Sequence, residues 1–107
     1  MRWFEKIIAA HTSVTTSVSH YERMKSERYF VWQEEGGRSD LTAESRHAET
    51  AVAGTTDLFT KTEFDTWAEE IEAAFSAKGI AWYKSSVQYE EDTGFIHHEW
   101  VWEAVDG

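Results

Sequence analysis

The sequence predicts a two-layer α+β fold. A mainly antiparallel sheet of about five strands packs with one long helix at about 61–78 and a short N-terminal helix, in a single domain spanning 1–107. Three stretches carry this expectation. "FTKTEFDTWAEEIEAAFSAKG" (59–79) has helical apolar spacing, "RYFVWQEE" (28–35) alternates like a strand, and the last 28 residues read as two strands around the acidic turn "EEDTG".

Taken in order, residues 2–11 read as a short amphipathic helix whose stripe is Trp3, Phe4, Ile7, Ile8 and His11. "TSVTTSVSHY" (12–21) is rich in β-branched residues and reads as a strand with Val14, Thr16 and Val18 on one face. In 28–35, Phe30 and Trp32 share one face and Tyr29 and Val31 the other, which suits an inner strand. Residues 36–45, "GGRSDLTAES", form a loop by composition, longer than a tight hairpin needs. "RHAETAVAGTTDLF" (46–59) reads as a long strand in which Gly54 marks a bulge or a close approach.

For the long helix, Thr60 is placed as N-cap with Glu63 completing a capping box, and Phe59 and Phe64 form a hydrophobic staple. Glu63 and Asp65 then complement the positive end of the helix dipole. Phe64, Trp67, Ala68, Ile71 and Phe75 make the apolar stripe, and Gly79 suits the position just past the C-cap.

Strands at about 80–90 and 95–105 close the chain, joined by a four-residue loop of Glu91, Asp92, Thr93 and Gly94. The expected register pairs Glu90 with Phe95, Tyr89 with Ile96, Val87 with His98, Ser85 with Trp100, and Tyr83 with Trp102. Adjacent His97 and His98 then point to opposite faces and do not chelate one ion together. His97 and Glu99 hold the i, i+2 spacing of a weak surface metal site. The plainer reading makes His98 a partly buried, hydrogen-bonded residue and His97 an exposed one.

Composition narrows the function. The chain has 107 residues, 41% of them apolar and 15% aromatic, enough for one core. There is no cysteine, which excludes disulfides and thiol chemistry, and no proline. No apolar run reaches the roughly 20 residues needed to cross a bilayer. "MRWFEKIIAAH" lacks the uninterrupted apolar region of a signal peptide, so a soluble, non-membrane protein is expected.

Net charge is −10. Residues 1–39 carry six basic and five acidic side chains (+1), and residues 40–107 carry four and fifteen (−11). Such a surface opposes tight phosphate binding. It suits a basic partner, a surface that faces DNA without holding it, or solubility alone. No nucleotide loop, nucleophile elbow or H-E-x-x-H motif is present, and the helix carboxylates fall mainly on its solvated face. The reading therefore includes no catalytic residue, cofactor or metal. A small enzyme with a cupped sheet would need a clustered Asp/His pair in a deep pocket.

Four segments over roughly residues 28–104 carry a resemblance: "RYFVW" with the following "LTAESRH", "ETAVAGTTDLFTK", "FDTWAEEIEAAFSAKGIAW" and "YEEDTGFIHHEWVW". In order and spacing they resemble the tail terminator, or tail-completion, proteins of long-tailed bacteriophages. None of the segments is a specific motif by itself. The resemblance implies a non-enzymatic virion protein of the tail and neck region, assembled in the host cytoplasm. Its copies would form a ring, typically a hexamer, that caps the tail tube, joins it to the head connector or stopper protein, and leaves a channel for DNA passage without specific binding.

The very short N-terminal segment and the lack of proline depart from the family pattern, so the first helix and first strand have no assigned interface role. Candidate contacts between subunits or rings are Arg38, Asp40 and Glu44 in the 36–45 loop, and Glu90, Glu91, Asp92 and Phe95 at the hairpin tip. The rival reading is a small acidic inhibitor, an immunity protein or DNA mimic, that binds a basic partner protein.

Overall fold

The structure is a computed structural model, described here over residues 1–35 and 51–107. Its elements are α1 (Trp3–Thr12), β1 (Val18–His20), β2 (Arg28–Glu34), β3 (Ala51–Thr60), α2 (Thr66–Ala77), β4 (Ala81–Glu90) and β5 (Phe95–Val105). The α+β expectation holds: among the described residues two helices accompany a five-stranded sheet of order β1-β2-β3-β5-β4. β1 pairs parallel with β2, and every other pairing is antiparallel. β3 and β4 therefore run parallel with β5 inserted between them, and α2 makes the crossover.

Trp100, Trp102, Phe30, Trp32 and Leu58 point from the sheet into one core with Ile7 and Ala10 of α1 and Ala68, Ile71 and Phe75 of α2. On the opposite face, Tyr29, Val31 and Phe59 form a smaller cluster against Met24 and Phe95. β2 is thus apolar on both sides, as its sequence pattern requires.

The helix expected at 61–78 is shorter, and its staple is absent. α2 begins at Thr66 with Asp65 as N-cap, its carboxylate accepting the Trp67 N–H at 2.9 Å. Thr60 remains the last residue of β3, paired with both Arg28 and Ile96. Its hydroxyl donates to Asp65 at 2.6 Å and accepts from the Thr62 N–H, so it caps nothing. Phe64 takes a left-handed backbone (φ 53), which stops a helix from starting earlier. The C-terminus follows expectation. Gly79 has φ 73, its N–H bonds to the Ser76 carbonyl, and the Ile80 N–H bonds to the Phe75 carbonyl, the double closure of a Schellman turn.

The strand expected at 12–21 contracts to three residues, because α1 runs to Thr12 and side chains claim the backbone beyond it. Thr12 and Ser13 hydroxyls donate to the Ile8 and Ala10 carbonyls, and Thr15 Oγ1 accepts the Ser17 N–H. In α1 itself Ala10 is buried and Ile8 is exposed, so the stripe is rotated from the expected one. Residues 46–50 of the expected third strand lie outside the described residues.

Gly54 is a close approach and not a bulge, since its pairing with β5 runs unbroken through it and it faces Glu34 at the end of the regular β2 ladder. A Cβ there would lie 2.4 Å from the Trp102 ring and 2.5 Å from the Gln33 carbonyl. Gly54→Ala should cost about 2 kcal/mol by overpacking, read as a lower urea midpoint with an unchanged slope.

Candidate interaction surface

The hairpin closes as expected at its tip. Glu90 pairs with Phe95, and the Gly94 N–H bonds to the Glu90 carbonyl at 2.8 Å with Gly94 at φ 80. The expected register holds through Val87 opposite His98, then slips. Lys84 pairs with Trp100 and Trp82 with Trp102, leaving Ser85 as a bulge. The Ser85 hydroxyl stabilises the extra residue by donating to Glu99. The slip swaps Trp82 for the expected Tyr83 opposite Trp102. Trp82 then packs against the main core, and its indole N–H donates to Ser76 at 2.9 Å.

β4 forms an edge of the sheet and is exposed along most of its length. On its helix-facing side Val87 is 51% and Tyr89 65% exposed, and Phe64 nearby is 93% exposed. These side chains, with Ile96, line an open groove of about 520 Å³ whose remaining walls include His98, Lys84 and Glu63. His98 is 7% exposed, and neither ring nitrogen has a hydrogen-bond partner among the described residues. Burial lowers its pKa, assisted by the Lys84 charge. The Lys84 ammonium sits 5.0 Å from the Trp100 ring centre. The expectation of a hydrogen-bonded His98 is thus half right: buried, but unpartnered.

Phe64 is held in place by its neighbour. The Asp65 carboxylate is buried and receives bonds from Arg28 Nε (2.8 Å), Thr60 and the Trp67 N–H. Burial would raise its pKa, but these donors outweigh burial and hold it below the usual range. The Arg28 guanidinium also stacks 3.8 Å from the Trp67 ring centre.

On the opposite face, His97 is not an ordinary exposed residue. Its Nε2 lies 2.9 Å from Asp57 and its Nδ1 3.5 Å from Glu90, while the ring stacks on Phe59 at 4.3 Å. The Asp57 hydrogen bond raises its pKa. An Asp/His pair therefore exists, but it is not among the residues lining the groove or a smaller pocket of about 100 Å³. Glu99, the other half of the possible metal pair, is engaged by Ser85. Among the described residues no group of three or more His, Asp or Glu could hold an ion.

Of the candidate contacts, Glu91 and Asp92 are exposed at the tip. Glu90 is drawn inward, 3.9 Å from Arg23 and bonded by Thr93. Phe95 packs half-buried on the smaller cluster. Arg38, Asp40 and Glu44 lie outside the described residues. The groove residues Phe64, Val87 and Tyr89 were missed as candidates. The available signal was Asp65, a strong N-cap that competes with Thr60 and would have left Phe64 outside the helix.

No protein-family model matches the chain, and no curated protein matches it.

Proposed function

We propose that the chain is a structural, non-enzymatic subunit of a phage tail joint, assembling with copies of itself into a ring that caps the tail tube and meets the head connector. The observation that carries this reading is the β4 edge. It is ten residues long, and it presents Val87 and Tyr89 beside the outward Phe64. Soluble monomers blunt such edges or cover them. Here the Ser85 bulge interrupts the edge, and the apolar residues beyond it remain open. β1 forms the other edge, so contact from β4 of one copy to the β1 side of the next is heterologous and closes into a ring when the rotation allows. The acid-rich second half supports a lumen through which DNA moves without being held.

The same charge favours a second reading, an acidic inhibitor that covers a basic protein. Light scattering over a concentration series, with negative-stain images, separates the two. The expected result is closed rings of 12.4 kDa chains, with about six chains per ring as the resemblance to tail terminators implies. If the free chain stays monomeric, the reading then requires rings to appear on added tail tubes. One-to-one binding to a basic nuclease, with no binding to tubes, would replace it with the inhibitor.

A further inference from the structure

We infer that His97 is a charge-dependent clasp on the β4–β5 hairpin tip: with a proton on each ring nitrogen it ties Glu90 to the sheet, and with one proton gone it releases Glu90 while keeping Asp57. His97 Nε2 lies 2.9 Å from Asp57 of β3, and Nδ1 lies 3.5 Å from Glu90 of β4. Both neighbours are carboxylates, which accept hydrogen bonds and, when ionised, cannot donate them. An imidazole with one N–H satisfies one of the two and turns a bare lone pair toward the other. Only the imidazolium serves both. The shorter contact keeps its N–H in the neutral ring, so the break falls between Nδ1 and Glu90.

What Glu90 holds decides what the clasp controls. The Glu90 oxygen facing Nδ1 also lies 3.9 Å from Arg23, in the connection between β1 and β2. Its other oxygen accepts the Thr93 hydroxyl at 3.2 Å, and Thr93 Oγ1 accepts the Phe95 N–H at 3.1 Å. Contacts thus run from the His97 ring through Glu90 into the loop at 91–94. The Phe59 ring is the floor beneath them: His97 stacks on it at 4.3 Å, and the Arg23 guanidinium lies 4.3 Å from its centre.

The surrounding charges fit the same scheme. Glu99, two residues along β5, also favours the imidazolium. Lys61 is turned toward Glu27 at 3.5 Å and the Phe95 ring. The Tyr29 phenol, raised by burial, stays neutral, and so does His98 on the other face, lowered by burial. Deprotonation leaves Asp57, Glu90 and Glu99 around an uncharged ring, and their mutual repulsion drives the hairpin-end carboxylate outward. The Asp57 bond outweighs burial and raises the His97 pKa above 6.5. The tie is therefore complete below pH 6.5 and lost as pH rises through the folded value. The clasp lies within one chain and does not rest on assembly into a ring.

The test is ¹⁵N NMR of the full chain from pH 5.5 to pH 9. At the acid end both His97 ring nitrogens should carry protons, and raising the pH should remove the proton from Nδ1 and leave the one on Nε2. Over the same titration the Gly94 and Phe95 amides should exchange with water about threefold faster than their intrinsic rise with pH, the worth of one partly exposed ion pair. Glu90→Gln should leave His97 titrating at a lower pKa and erase the threefold change. His97→Phe, which keeps an aromatic ring on Phe59, should erase it too. Loss of the Nε2 proton in place of the Nδ1 proton, exchange that follows the intrinsic rate alone, or an unchanged response in Glu90→Gln would overturn the assignment.

Discussion

Replacing Asp65 by alanine should lower stability by about 3 kcal/mol, a drop in Tm on the order of 15 °C for a domain of this size. Several losses coincide. The Trp67 N–H loses its cap, worth about 1 kcal/mol. The Thr60 hydroxyl, on a fully buried residue, loses its acceptor. Arg28 loses its carboxylate but keeps solvent access, with a side chain 40% exposed, and that limits the cost. Arg28→Met should be of similar size for a different reason, since it leaves a buried carboxylate with only neutral donors. A double-mutant cycle between the two should then give a coupling of about 1–3 kcal/mol, and additivity would show that the pair does not act as a unit. Because the Asp65 pKa is depressed, its contribution is present above the ordinary carboxylate pKa and fades as pH falls through the folded value.

The second large effect is acid sensitivity from His11. This residue is fully buried, with the rings of Phe30, Trp32 and Phe75 around it. Its tautomer follows from its partners. Nδ1 donates to the Ile7 carbonyl at 2.8 Å, so Nε2 must accept, and it does so from the Thr56 hydroxyl at 3.0 Å. Thr56 in turn accepts the Trp102 indole N–H at 3.0 Å. A second proton on His11 would face the Thr56 hydroxyl, whose own proton already points at it.

Burial lowers the His11 pKa from 6.5 to about 4. The contribution is therefore complete above pH 6.5, declines below it, and is lost once pH passes about 4. The loss across that window is about 3 kcal/mol. His98, also lowered, adds in the same direction, whereas His97, raised, acts above 6.5. Urea unfolding at pH 7 and pH 4 should show the drop, and His11→Gln should flatten it even though the variant is weaker throughout. An equal slope in both proteins would remove His11 as the cause.

The sequence made the sheet legible where alternation was strong and neighbours were local. β2, β5 and the turn at Glu91–Gly94 fall where the pattern puts them, because a wrong register would expose Trp100 and Trp102. Two kinds of feature escaped. The start of α2 was a choice between Thr60 and Asp65, and it was decided by Arg28, 37 positions away in sequence, which no local window contains. The Ser85 bulge was hidden because Trp82 and Tyr83 are both plausible core residues, and only the packing of Trp82 on Ser76 separates them. The groove escaped for the same reason. Val87, Tyr89 and Phe64 look like core residues in a sequence, and only the three-dimensional arrangement leaves them outside.

The position of β5 between β3 and β4 governs how fast the molecule can form. The β4–β5 hairpin closes over a four-residue loop and can appear within microseconds. β3 must find β5 across sequence separations of 36 residues, from Thr60 to Ile96, up to 54, from Ala51 to Val105. Such non-local pairing is slow because chain closure is paid for before any contact rewards it. The hairpin would then exist for a time with the β5 edge that β3 will occupy still open, flanked by Trp100 and Trp102. In a cell making many copies, that interval is when one chain is most exposed to pairing with the wrong neighbour.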